Sequence, residues 1–389
     1  MRSGLAVIQA GTSNLVKDLP MRIRSFLRIS MLSLPVLLFS ACSLFITKPE
    51  AVSTGIIDAD DPYIQYTGRF DFSNPKKTVF DWAGVQICAK FQGTSCSIRL
   101  DDKTNEYAVI VDHRAPRILT TDSLTFVYCI ASGLSDSLPH SIMIQKRTEP
   151  LVGKGIFSGF ILDKGKQLLS PEKRPERRIE FIGNSITSGF GDEGDTNGHF
   201  TPQTENACMS YAAMTARALH ADYMLISYSG RGVVRNYGDS STTSADPMPV
   251  LYDRICFFDS LHKWNFKNWI PQAVVINLGT NDFSTLPFPA KNVFQEAYTR
   301  LIDRVRLQYP GVTIFCICGP MTADPCLSYI REVVEQEQKR SRDKDVFFIE
   351  IKPEALANTD WGCGHHPNII GMSKMTEIIA PAIRLWMNW

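Results

Sequence analysis

From Ile179 onward the chain alternates short, uninterrupted apolar runs with longer stretches of helical period, and that alternation leaves few folds open. The runs are Ile179–Ile182, Tyr223–Tyr228, Ala273–Leu278, Val312–Ile317 and Val346–Ile349. Helical stretches lie near 207–220, 249–260, 290–308, 325–341 and 368–386. Continuous apolar strands fit a sheet buried on both faces, and helices between strands fit parallel pairing. The pattern predicts a three-layer α/β/α domain over residues 173–389 with a parallel sheet. In such sheets sites form beyond the carboxyl ends of the strands.

The preceding hundred residues read differently. Thr78–Trp82, Val85–Phe91, Cys96–Leu100, Tyr107–Val111, Leu124–Ile130 and His140–Gln145 are short runs separated by turn signals, without helical period. They predict an antiparallel, jelly-roll-like β-sandwich over residues 58–172. The prolines from Pro171 to Pro175 close that pattern. The 389 residues and 44% apolar content suffice for two domains with real cores. A formal net charge of +1 gives no footprint for nucleic acid. The basic cluster Lys173, Arg174, Arg177 and Arg178 reads as a solvated linker.

Residues 1–42 read as a targeting segment and 43–57 as a tether. Arg22, Arg24 and Arg28 precede an apolar stretch from Ile29 to Phe39, and Ser40-Ala41-Cys42 follows. Basic, apolar and small-residue zones in that order are a secretory pattern, and the apolar zone is short for a membrane span. The small pair before Cys42 resembles the lipobox of bacterial lipoproteins, although Phe39 stands where leucine is usual. That resemblance implies a lipid anchor on Cys42, a membrane partner and a cell-envelope location; an ordinary cleaved signal implies secretion instead. Met1 and Met21 both stand as candidate starts. Nine further cysteines carry no pairing that spacing reveals, and no Cys/His group has zinc spacing; no cofactor is expected.

Three polar motifs follow three successive predicted strands: Gly183-Asn184-Ser185, Ser229-Gly230-Arg231-Gly232 and Gly279-Thr280-Asn281-Asp282. A fourth, His365-His366-Pro367-Asn368, precedes the last helix. All four can meet at one sheet edge, and acyl transfer fits them. Ser185 would attack a carbonyl and His366 would accept and return its proton. The backbone N–H groups of Ser185 and Gly230 and the Asn281 amide would hold the oxyanion. Asp282 reads as a support for its loop.

The four blocks resemble those of the SGNH hydrolases, with Ser185, Gly230, Asn281 and His366 in the family's order. Asn277–Phe283, Ser229–Tyr237 and His366-Pro367-Asn368 with Gly371 are similar, more narrowly, to carbohydrate esterase family 2. Lys146–Glu149 and Phe157–Phe160 resemble the end of the sandwich that precedes the hydrolase in that family. The likeness covers about residues 60–389 and implies removal of acetyl groups from a polysaccharide or oligosaccharide such as xylan or mannan, without metal. The His-Pro pair favours His366 over His365. Arg235, Asn236, Tyr237 and Trp361 are candidate sugar contacts.

One departure stands out. SGNH enzymes usually carry an Asp three residues before the histidine, and this esterase family often two before; here those positions are Cys363 and Gly364. The favoured expectation is a Ser–His dyad steered by a backbone carbonyl, with Asp360 as a candidate acid if its loop folds back. Two rivals remain: another SGNH esterase, lipase or thioesterase activity, and a non-catalytic glycan-binding lipoprotein.

Overall fold

The computed structural model describes residues 55–340 and 345–389; the targeting segment, Cys42 and most of the tether lie outside that range. Eleven strands come first: β1 (Ile56–Asp58), β2 (Gln65–Thr67), β3 (Thr78–Phe80), β4 (Gln86–Phe91), β5 (Cys96–Asp101), β6 (Glu106–Val111), β7 (Arg117–Thr120), β8 (Val127–Ala131), β9 (His140–Lys146), β10 (Gly155–Leu162) and β11 (Leu168–Leu169). They form two antiparallel sheets, β1-β10-β5-β8 with β3 on β10, and β11-β4-β9-β6-β7 with β2 on β4. Trp82, Phe80, Phe91, Ile98, Leu100, Phe157 and Phe160 are buried between them. Ile56 and Ile57, expected in the tether, pair with β10 instead.

Five parallel strands follow: β12 (Arg177–Gly183), β13 (Ala221–Ser227), β14 (Ala273–Asn277), β15 (Thr313–Cys318) and β16 (Val346–Glu350). Their order is β13-β12-β14-β15-β16. The chain therefore leaves β12 in one direction and later crosses to its other side, so the topological switch lies at the end of β12, where ligands bind in such sheets. The helices are α1 (Ser185–Ser188), α2 (Tyr211–Ala218), α3 (Met248–Leu251), α4 (Lys291–Gln308), α5 (Cys326–Arg340) and α6 (Ile369–Met387). Ile179, Phe181, Val275 and Phe315 pack one sheet face against α2 and α6. Ile182, Ile226, Ile276 and Ile314 pack the other against α4 and α5. Burial on both faces accounts for the unbroken apolar runs.

Residues 249–260 do not continue as a helix beyond α3. Their backbone groups are spent elsewhere: Arg69 Nη1 donates to the carbonyls of Tyr252 and Arg254, and Asp81 accepts from the amides of Phe257 (2.9 Å) and Phe258 (3.3 Å). Arg69 is itself buried, with its guanidinium 5.2–5.6 Å from the rings of Tyr252, Trp264 and Phe266. It stands 3.9 Å from Glu180 in the middle of β12, whose carboxylate accepts from the hydroxyls of Tyr252 (2.6 Å) and Tyr309 (2.8 Å). The basic cluster is no free linker: Arg177 and Arg178 are in β12, and Arg174 binds Thr67, Asp222 and the Tyr66 carbonyl.

Candidate active site

The end of β12 delivers Ser185 as the first residue of α1. Asn184 caps that helix, its side-chain oxygen accepting from the Ile186 amide at 3.2 Å. The amide of a first helical residue has no intrahelical acceptor, and the Ser185 N–H has no other partner among the described residues. Ser185 Oγ donates to His366 Nε2 at 2.7 Å. His366 Nδ1 faces the Gly364 carbonyl at 3.1 Å. A carbonyl only accepts, so Nδ1 carries the hydrogen and Nε2 is left basic toward the serine. Burial pushes the imidazole down to about 4, with the Gly364 and Cys363 carbonyls opposing that shift and His365 adding to it. At neutral pH the ring is an unprotonated base.

His366 is carried on a short bridge between Trp361 and Pro367, with Gly362 N donating to His366 O at 2.7 Å. Asn368 then caps α6 through its side chain at 3.0 and 3.1 Å. The ring rests against Phe190, centroids 4.7 Å apart, and Phe190 stacks on Phe200 at 4.1 Å. The Cys363 side chain is turned away from the imidazole. Its amide binds the Gly191 carbonyl at 3.0 Å and its thiol faces the His199 carbonyl at 3.5 Å. Asp360 does not orient the histidine either: one carboxylate oxygen accepts from Ala357 N (2.6 Å) and Lys374 Nζ (2.5 Å). His365 is exposed and is not bonded to Ser185.

The loop after β13 brings Gly230 to the same rim in the left-handed region, φ 78°, where a side chain is disfavoured. Gly230 N–H has no partner among the described residues, whereas Gly232 N–H is spent on Asn236 Oδ1 at 3.3 Å. That resolves which of the two glycines keeps a donor. Asn281, after β14, uses one amide hydrogen on the Arg231 carbonyl at 2.8 Å, which ties the third block to the second. Asp282 accepts from the amides of Val233 (2.9 Å), Val234 (2.7 Å) and Arg235 (2.9 Å). A Cβ on Gly232 would meet Asp282 Oδ2 at 2.4 Å, so only glycine admits this carboxylate. Burial raises Asp282 to about 6 against those three donors.

The candidate sugar contacts divide. Arg235 is buried, and its guanidinium is consumed by the carbonyls of Asp239, Thr285 and Pro287. Asn236 is also buried, bonded to Gly232 and Asp246. Both side chains are spent on shaping the loop. Tyr237 is 69% exposed and flanks Gly230, to whose carbonyl its amide donates at 2.8 Å. Trp361 is half-buried, its carbonyl accepting from Thr196 Oγ1 at 2.7 Å. Sequence patterns could not single out Gly364, because what it contributes is a carbonyl, nor the Phe190–Phe200 pair that backs the imidazole.

An uncharged hydroxyl–imidazole pair with idle amide donors is built to attack a carbonyl and hold the resulting oxyanion. Comparison with known proteins agrees with that geometry. The model of the "Carbohydrate esterase 2 N-terminal" region matches residues 66–171. That of the "GDSL-like Lipase/Acylhydrolase family" matches residues 181–373, so the second half is a GDSL-like domain. The cellulase/esterase CelE of Acetivibrio thermocellus is 40% identical over 340 residues, 85% of this chain and 40% of CelE. An acetylxylan esterase / glucomannan deacetylase of Cellvibrio japonicus is 33% identical over 218 residues, 55% of this chain and 58% of that protein. This chain thus spans less than two thirds of either relative. The structure of a family two carbohydrate esterase from Clostridium thermocellum in complex with cellohexaose has a TM-score of 0.78 and 38% identity, covering 84% of this chain and 99% of that one. The chain belongs to family two of the carbohydrate esterases.

Proposed function

We propose that this protein removes acetyl groups from polysaccharide hydroxyls through a Ser185–His366 dyad. The observation that carries the assignment is the 2.7 Å contact from Ser185 Oγ to an imidazole whose other nitrogen faces a carbonyl. Ser185 Oγ bonds to the acetyl carbon while its proton passes to His366 Nε2. The oxyanion sits among the Ser185 and Gly230 amides and the second Asn281 amide hydrogen, each such donor worth roughly 2.7–4 kcal/mol in the transition state. The C–O bond to the sugar breaks and its oxygen takes the proton from His366. Water then attacks the acetyl-serine, giving its proton to the same nitrogen, and acetate leaves as Ser185 Oγ is reprotonated.

Tyr237 and Trp361 offer aromatic faces at the rim, suited to sugar rings. The cellohexaose complex of the Clostridium thermocellum relative and the acetylxylan esterase and glucomannan deacetylase names of the Cellvibrio relative support a β-linked, acetylated chain as substrate. The proposal extends to organisation: residues 1–42 direct export, Cys42 carries a lipid anchor in the cell envelope, 43–57 tether it, and 58–172 and 173–389 are the sandwich and hydrolase domains. Acetate release from acetylated xylan, acetylated mannan and an aryl acetate, each compared with Ser185→Ala, tests the function. Release from the aryl ester alone would favour a different esterase. Glycan binding with no serine-dependent release would favour a binding protein.

A further inference from the structure

Behind the Gly230 loop lies a group that the catalytic scheme does not use. Glu149 belongs to the segment that leaves β9, on the sandwich side, and is fully buried. Its Oε2 accepts from the backbone amide of Ser229 at 2.6 Å. One residue further on, the Gly230 carbonyl accepts from Tyr237 N at 2.8 Å. The Gly230 N–H therefore sits between two anchored peptide groups, one held from the sandwich side and one from within its own loop.

The Glu149 carboxyl is in turn fixed in place. Its backbone amide donates to Glu205 Oε2 at 3.1 Å. Lys146 Nζ, also fully buried, donates to the carbonyls of Thr148 (2.7 Å) and Glu149 (3.2 Å). Arg147 reaches Glu193, whose other oxygen accepts from Asn206 at 2.6 Å. Glu149 Oε1 and Glu205 Oε1 have no hydrogen-bond partner among the described residues. Burial raises both carboxyls, Glu149 to about 7 and Glu205 well above the ordinary range with the Glu149 charge adding to it, so Glu149 is the more acidic of the two and the one whose oxygen accepts from Ser229.

We propose that Glu149 is a positioning residue of the esterase site: from the sandwich side it holds the Ser229 amide so that the Gly230 N–H points at the developing oxyanion. The sandwich is then a working part of the oxyanion hole. The inference rests on the esterase assignment, and its test separates the two.

Turnover of 4-nitrophenyl acetate at pH 8 is compared in the wild type, Ser185→Ala, Glu149→Gln and Glu149→Asp, with thermal melts to verify folding. Gln keeps an acceptor oxygen in place without the charge; Asp keeps the charge but withdraws the acceptor by one methylene. A displacement of about 1 Å can cost about 10²-fold in rate. The expected result is a kcat for Glu149→Asp about 10- to 100-fold below that for Glu149→Gln, at unchanged KM. Hydrogen exchange across 227–232 should be faster in the Asp variant. Equal kcat values, the reverse order, or a change confined to KM would overturn the role of Glu149 while leaving the esterase assignment intact. Wild-type turnover that does not depend on Ser185 would overturn both.

Discussion

The loop that presents Gly230 is stapled by buried carboxylates: Asp282 takes three of its amides and Glu149 takes the Ser229 amide. The residues next to His366 are fastened mainly through neutral groups, Gly362 N to His366 O, Cys363 N to Gly191 O and Thr196 Oγ1 to Trp361 O, and its ring is steered by the Gly364 carbonyl at 3.1 Å. The two sides of Ser185 are thus built to different tolerances. An oxyanion hole works only if its donors are already aimed when charge develops, whereas the base needs a defined tautomer and a ring free to tip between serine and leaving group. Charge-assisted hydrogen bonds suit the first task, and a neutral carbonyl suffices for the second.

The sharpest way to break this contrast is to remove the dyad itself. Ser185→Ala or His366→Ala should lower kcat by about 10⁴-fold or more, read as acetate release. Loss of either side chain with retained turnover would place the chemistry elsewhere. On the rigid side, Asn281→Ala should lower kcat by about 10²–10³-fold with KM little changed, the cost of one oxyanion donor. A fall in binding alone would make Asn281 a substrate contact.

The soft side is probed by pH. Because burial lowers His366 to about 4, the ring stays neutral well below the ordinary 6.5. kcat/KM should rise with pH through a limb near 4, standing about tenfold below its plateau at pH 3. A limb near 6.5 would show an open, hydrated imidazole. The same shift costs stability as pH falls: from about 6.5 downward the unfolded chain binds a proton that the folded site refuses, and the loss accrues until about 4. The smallest effect is expected from restoring the usual acid. Cys363 faces His199 O, and its thiol lies against Gly194, where a Cβ would come within 2.2 Å of it. Cys363→Asp should therefore lower Tm and leave kcat without gain; a several-fold rise would show that this loop can turn its side chain toward the ring.

Most of the hydrolase was legible in the chain because strands buried on both faces leave continuous apolar runs. The final helix matched its expectation closely, 368–386 against Ile369–Met387. The sandwich was legible only in part. β10 escaped because Gly159, at φ 115°, sits in a bulge that breaks the alternation a strand normally shows. The 249–260 stretch has helical composition, but Arg69 and Asp81 outbid the helix for its backbone groups. At the site, the four blocks announced side chains by type, and Ser185 and His366 do meet. Arg235 and Asn236 carried the polar groups expected of sugar contacts, yet those groups are spent on Asp239, Asp246, Thr285 and Pro287, partners that only the folded loop brings to them. Gly364 left no mark because a carbonyl is common to every residue.

Arg69 reaches from between β2 and β3 into the centre of the second half, where Glu180 waits on the middle of β12. Removing one member of such a buried pair costs about 3–5 kcal/mol, since the survivor's charge is left uncompensated. Excising the hydrolase as a separate catalyst would strand Glu180 in this way and bare the apolar box around it. Modular swapping of the front half, a natural engineering route to new substrates, is therefore constrained: any replacement has to supply its own cation at that depth.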